Sequence, residues 1–246
     1  MHLDEVTWEP AYYAQFQKWL LEQAEPEYQK FNESLLSTTL PTIGLRLPLL
    51  RKMAKEIAKG EKEAFLKVCG TQYHEERMLY GMVACYLPYE TFLAHSDCMA
   101  EKYIENWAIC DTFATSLKRV LRKHKTEYFA YLTKYLKSSN PWAVRLGLVV
   151  MLAQYLEEDT ITEVLARTTS VQSEAYYVRM AQAWLLATAW AKFPKETDFC
   201  LHQACLDEWT ARKFVQKAKE SRRVLPEQKA YLKTWLDTTY AQNIKN

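Results

Sequence analysis

The chain has 246 residues, 49% of them apolar, and a formal net charge of +2. That length suffices for one large core. The near-neutral balance excludes a polyelectrolyte binder that works through its whole surface, so any nucleic-acid site must be a local patch. Only 5 glycines are present, and strong helix formers dominate, which points to an all-α fold.

Helical periodicity then runs through most of the chain. Pro10 opens a helix at its favoured first position, continuing through Tyr13, Phe16, Leu20 and Leu21. Residues 26–44 are less regular, reading as a short helix at most and then a loop with Thr, Pro and Gly; a stable second helix is not expected there. Pro48 starts the next helix, with Leu49, Leu50, Met53 and Ile57 on one face and Gly60 at its end. Further helices are predicted over 61–69, 73–87, 89–105, 107–124, 127–137, 141–156, 160–167, 172–192, 195–206, 208–221 and 226–240. Pairing them gives a period of about 35–40 residues, the range of HEAT-type repeats. The expectation is one domain over 1–246, an α-α superhelical solenoid whose concave groove is the binding surface.

The six cysteines show neither CxxC nor zinc-type spacing. Cys69, Cys85, Cys98 and Cys110 fall among predicted helices and read as buried thiols, which points to a reducing cytoplasm. No signal peptide and no membrane span is expected. Gly-rich phosphate loops, HExxH, GxSxG and kinase signatures are missing, which argues against the common α/β nucleotide enzymes. No metal or cofactor is called for.

Chemistry concentrates on a few helices. Trp107 and Asp111 lie one helical turn apart. Asp111 sits among apolar Ile109, Cys110 and Phe113, where a carboxylate needs a partner or a cationic ligand. The plain structural alternative is a core Trp beside an Asp that complements the helix dipole. Arg145 is embedded in the run AVRLGLVVML; it reads equally as a salt-bridge member, with Asp111 as one partner, or as a phosphate ligand. Trp184 follows Met180 and Ala181 and, as a lone residue, reads first as core indole. Trp142 and Trp190 read the same way and are given no role. Tyr176, Tyr177 and Arg179 open one helix with aromatic and basic groups that suit nucleic acid. Three basic clusters could follow a DNA backbone: Arg46, Arg51, Lys52 and Lys55; Lys118 through Lys125; and Lys213, Lys217, Lys219, Arg222 and Arg223. Each is also an ordinary solvated face or dipole complement.

Five segments together carry a family resemblance: Ile43 to Arg51, Asn106 to Asp111, Trp142 to Arg145, Tyr176 to Trp184, and Asp207 to Thr210. Over about Gly44 to Arg223 the chain resembles the AlkD-like DNA alkylation repair proteins, built of HEAT-like repeats. The resemblance implies an N-glycosylase that removes cationic alkylated purines such as 3-methyladenine and 7-methylguanine from double-stranded DNA, as a monomer without a cofactor. It implies that Asp111 stabilises the sugar cation or positions water. Trp107 and Trp184 then pack against the lesion's deoxyribose and backbone, and Arg145 holds a nearby phosphate. Tyr177, Arg179, Arg46, Arg51, Lys213 and Lys217 complete the expected DNA contacts. The polar segment 26–41 departs from the family's helix pair and favours the other reading, a catalytically weak or inactive helical-repeat module that binds DNA structure or a protein.

Overall fold

The computed structural model describes residues 2–36, 38–204 and 206–241, and every regular element among them is helical. The chain divides into two compact units, one through Tyr131 and one from Leu132.

In the first unit, α1 (Pro10–Glu22), α2 (Pro26–Leu35), α3 (Leu47–Ile57) and α4 (Lys62–Val68) precede α5 (His74–Ala84), α6 (Tyr89–Cys98) and α7 (Trp107–Ser116). α3, α5 and α7 pack side by side as an inner row, with α4 and α6 against α5. α5 is buried at every position but Arg77, as a helix covered on several faces must be. α8 (Lys125–Leu136) spans the division.

The second unit repeats the plan. α9 (Pro141–Gln154), α11 (Tyr176–Lys192) and α13 (Glu208–Glu220) form an inner row. α10 (Ile161–Ser170) and α12 (Pro194–Gln203) pack on α11 and on each other, and α14 (Pro226–Tyr240) closes on α13. α9 is buried without a break from Ala143 to Met151. A β-carbon at Gly147 would sit 2.8 Å from a methyl of Leu136, so a larger residue there would require the Leu136 side chain to shift. Paired helices in an inner and an outer row are compatible with a helical-repeat solenoid.

Several expected boundaries move. A second helix does form: Pro26 occupies its first turn, and the helix runs ten residues to Leu35 with none of them buried. Its stability comes from polar ties rather than burial. Gln29 donates to the Thr42 carbonyl at 2.7 Å, and Thr42 Oγ1 donates to Glu33 at 2.6 Å. The expected 107–124 helix stops at Ser116, where Ser116 Oγ and Thr115 Oγ1 donate back to the carbonyls of Thr112 and Asp111, bonds that compete with helix continuation. A 3-10 turn over Val120–Arg122 follows. The 89–105 helix ends at Cys98 and continues as a π-turn over Met99–Tyr103. The 172–192 helix starts later, at Tyr176, because Arg179 Nε holds the Ser173 carbonyl at 2.8 Å in extended chain. Cys85 and Cys110 are buried as expected, whereas Cys69 and Cys98 are only half-buried.

Candidate functional site

Asn106 builds the first part of the site. Its side-chain oxygen caps α7, accepting from the backbone N–H of Ala108 and of Ile109 at 3.1 Å each. The cap fixes Trp107 at the first helical position and Asp111 one turn on. Asn106 is itself buried, and its amide lies 3.2 Å from Nδ1 of His74. Burial lowers the His74 pKa below its ordinary value, keeping the ring neutral.

Trp107 and Asp111 are half-buried and line one wall of a cavity of about 300 Å³. Tyr28 and Asn32 of α2 form another wall, and Arg51 of α3 brings a cation to it. The indole N–H of Trp107 donates to the Leu35 carbonyl at 3.3 Å, so the end of α2 is tied to the first residue of α7.

The loop before α3 is held by a buried carboxylate. Glu75, 1% exposed, accepts from the backbone N–H groups of Ile43 and Gly44 at 2.8 Å and of Leu45 at 3.2 Å. Gly44 has φ +90, and a β-carbon there would lie 2.7 Å from Cβ of Gln29. Both the left-handed backbone and the closeness of α2 demand glycine. Beside it Glu76, also buried, accepts from Tyr13 Oη and Gln17 Nε2 at 2.7 Å each and from the N–H of Gln72 and Tyr73. Burial, with Glu76 adding to it, pushes the Tyr13 phenol far above its usual range, so it stays protonated and donates.

The other expected site residues fall into two groups. Arg46 is engaged by Glu25 at 2.8 Å and lies 4.7 Å from the Tyr28 ring centre. Arg51 is exposed at the Asp111 cavity. The remainder belong to the second unit. Arg145 is 4% exposed; its guanidinium donates to the Tyr177 carbonyl at 2.9 Å and lies 5.8 Å from that ring. Trp142, read from sequence as core, is half-buried and stacks on Tyr177 with 5.0 Å between centres. Tyr176 meets Tyr177 at 5.1 Å and Trp209 at 5.6 Å, both edge to face. Arg179 pairs with Glu174 and with Asp207 and sits 5.7 Å from the Trp209 ring. Lys213 lies 5.8 Å from the same ring. Trp184 is 37% exposed, which overturns its core reading. It lines a cavity of about 430 Å³ with Lys217, Arg222 and Arg223. Trp190 is buried, as expected.

Sequence reasoning passed over Tyr28, Asn32 and His74 as lining residues. Tyr28 and Asn32 stand four apart on α2, a spacing that would have flagged them had the helix been credited. Among the described residues no group of His, Cys, Asp and Glu is disposed to hold a metal ion, and no helix is long and apolar enough to cross a membrane.

A carboxylate and an indole thus share one cavity wall beside an exposed guanidinium, within an all-helical scaffold. The family is specific. The model of the DNA alkylation repair enzyme family matches residues 16–198, well over half the chain, and the protein belongs to that family. Its role is therefore in DNA alkylation repair, with DNA as its binding partner. A comparison with curated proteins finds no match.

Proposed function

We propose that this protein is a DNA N-glycosylase that removes cationic alkylated purines, 3-methyladenine and 7-methylguanine, from duplex DNA. It works as a monomer, without metal or cofactor, and as one repeat domain. The observation that carries the reading is the half-buried Asp111 on the wall of the 300 Å³ cavity, held there by the Asn106 cap beside Trp107.

A purine alkylated at N3 or N7 already bears positive charge. Its glycosidic bond breaks with both electrons passing to the base, which leaves as a neutral purine, while positive charge develops at C1′ of the sugar. A fixed carboxylate stabilises that charge, and water then adds to C1′ and releases a proton. One well-placed electrostatic group of this kind contributes on the order of 2–4 kcal/mol to the transition state. Indole faces attract cationic groups by roughly 0.5–2 kcal/mol, the part given to Trp107 and Trp184. Arg51, exposed at the cavity, suits a phosphate beside the lesion. Arg145 is buried, so it acts by orienting Tyr177, and a direct phosphate contact would require its side chain to move. Tyr177, Lys213 and Lys217 are proposed as further DNA contacts. Arg46 and Arg179, each already tied to a carboxylate, are the weaker members of the set.

The test is release of 7-methylguanine and 3-methyladenine from methylated duplex DNA by the native protein and by Asp111→Asn. The expected result is excision that falls on the order of 10²-fold or more in the variant, with an unchanged melting temperature. No release from the native protein, where a control glycosylase succeeds, overturns the enzyme reading and leaves a DNA-binding repair module.

A further inference from the structure

A second cavity in the first unit, of about 510 Å³, plays no part in the chemistry above. Lys62, Arg119, Arg122 and Lys123 converge on it, with Glu63 as the acid on its lining. Elsewhere the arginines of this protein are commonly matched: Arg46 with Glu25, Arg77 with Glu105, Arg167 with Glu163 and Arg212 with Glu208. Among the described residues no ion pair engages any of the four cations at this opening, and Arg119, Arg122 and Lys123 are exposed. Four cations with one carboxylate, Glu63, on the same lining leave an excess of positive charge; like charges repel one another, and an external anion relieves that repulsion. The helix dipole explains only part of the set. Lys62 is the first residue of α4, the end where a cation is disfavoured.

The walls are aromatic. The ring of Tyr89 lies parallel to His124, with centroids 4.2 Å apart and planes within 4°. The guanidinium of Arg119 lies 4.8 Å from the Tyr86 ring, a stack that leaves its N–H edge free to meet phosphate oxygens. This cavity is also not isolated. It shares Cys85, Tyr86 and Arg119 with a middle cavity of about 340 Å³. That one in turn shares Arg51 and Thr115 with the Asp111 cavity and adds Lys55. Three neighbouring cavities of one unit are thus linked in series by the residues they share, with Arg51, Lys55, Arg119, Arg122 and Lys123 along them.

We propose that this track is the path of one DNA strand leaving the Asp111 cavity, and that the Arg119–Arg122–Lys123 opening seats a backbone phosphate distant from the lesion, its sugar lying against Tyr86 and Tyr89. The proposal rests on the DNA-repair reading. It adds a phosphate site whose work is grip and register on the duplex rather than catalysis.

The test compares three proteins on a duplex carrying a stable abasic-site analogue: native, Arg122→Ala/Lys123→Ala, and Lys229→Ala/Lys233→Ala. The last has the same change in net charge and lies on α14. Binding is followed by fluorescence anisotropy across a salt series, with melting temperatures confirming that all three are folded. Each charge that neutralises a phosphate adds about 1 to the slope of log affinity against log salt. The first variant should therefore lose roughly 1–2 from that slope and the α14 variant none. Scanning a neutral methylphosphonate linkage along each strand should then find a position that weakens native binding about five-fold or more and leaves the Arg122/Lys123 variant unaffected, an order of effect set by one lost phosphate contact. If both variants keep the native slope while the native protein binds steeply, the phosphate site is wrong and the DNA reading stands. If the native protein binds no DNA, the reading beneath it fails as well.

Discussion

The central helix α5 of the first unit carries two buried carboxylates, Glu75 and Glu76, and each accepts hydrogen bonds from loop amides. The inner row of the second unit buries donors instead. Gln182 gives both its amide hydrogens to the carbonyls of Thr168 and Val171, at the C-terminal end of α10, and Arg145 gives to the carbonyl of Tyr177. The difference follows from what each unit leaves unsatisfied. The first must hold an extended loop, with Gly44 in a left-handed conformation, against the N-terminal end of α3, and that loop offers N–H groups. The second must finish α10, whose last turn offers C=O groups to Gln182; the acceptor of Arg145, Tyr177, lies instead in the first turn of α11. The Asp111 cavity lies in the unit strapped by carboxylates, and that strapping seats α2 as one of its walls.

The comparison can be broken most directly at Glu75. Glu75→Ala strips the partner from three loop amides, and at roughly 1–3 kcal/mol for a buried unsatisfied group, with incomplete additivity, the loss should be about 3–5 kcal/mol. Urea denaturation checks it, and Glu75→Gln, which accepts but carries no charge, should lose less. A smaller effect is expected in the second unit. Gln182→Met keeps the volume and leaves two carbonyls under-satisfied, a state proteins tolerate better than orphaned N–H groups, so the cost should be about 1–2 kcal/mol. Equal losses at the two positions would erase the distinction drawn between the units.

The smallest effect sharpens the same contrast through pH. Burial holds the folded His74 pKa below its ordinary 6.5. As pH falls through that value the unfolded chain takes up the proton first, so the stability is fully present above it and declines as pH drops toward the depressed folded value. The melting temperature of the native protein should therefore fall on mild acidification, and His74→Gln should remove that component.

Helix content, the paired repeat plan and nearly every inner-row helix were written in the sequence, because apolar period and proline position are local signals. Pro10, Pro48, Pro141 and Pro226 each mark a real helix start. The pairing of Trp107 with Asp111 was equally legible, since one turn of helix fixes it. What sequence could not show was α2. It buries none of its residues: Tyr28, Phe31 and Leu35 recur at helical spacing, yet Phe31 and Leu35 stay exposed, and the groups that hold the helix, Thr42, Gly44 and Trp107, are tertiary neighbours. Nor could apolar pattern separate Trp184 from Trp190; only the family resemblance did. Both sit in apolar stretches of α11, yet one stands open on a cationic cavity and the other is enclosed. Local pattern decides which segments coil. Which face of a coil is covered depends on the neighbour that packs there, and that is settled only when the chain has folded.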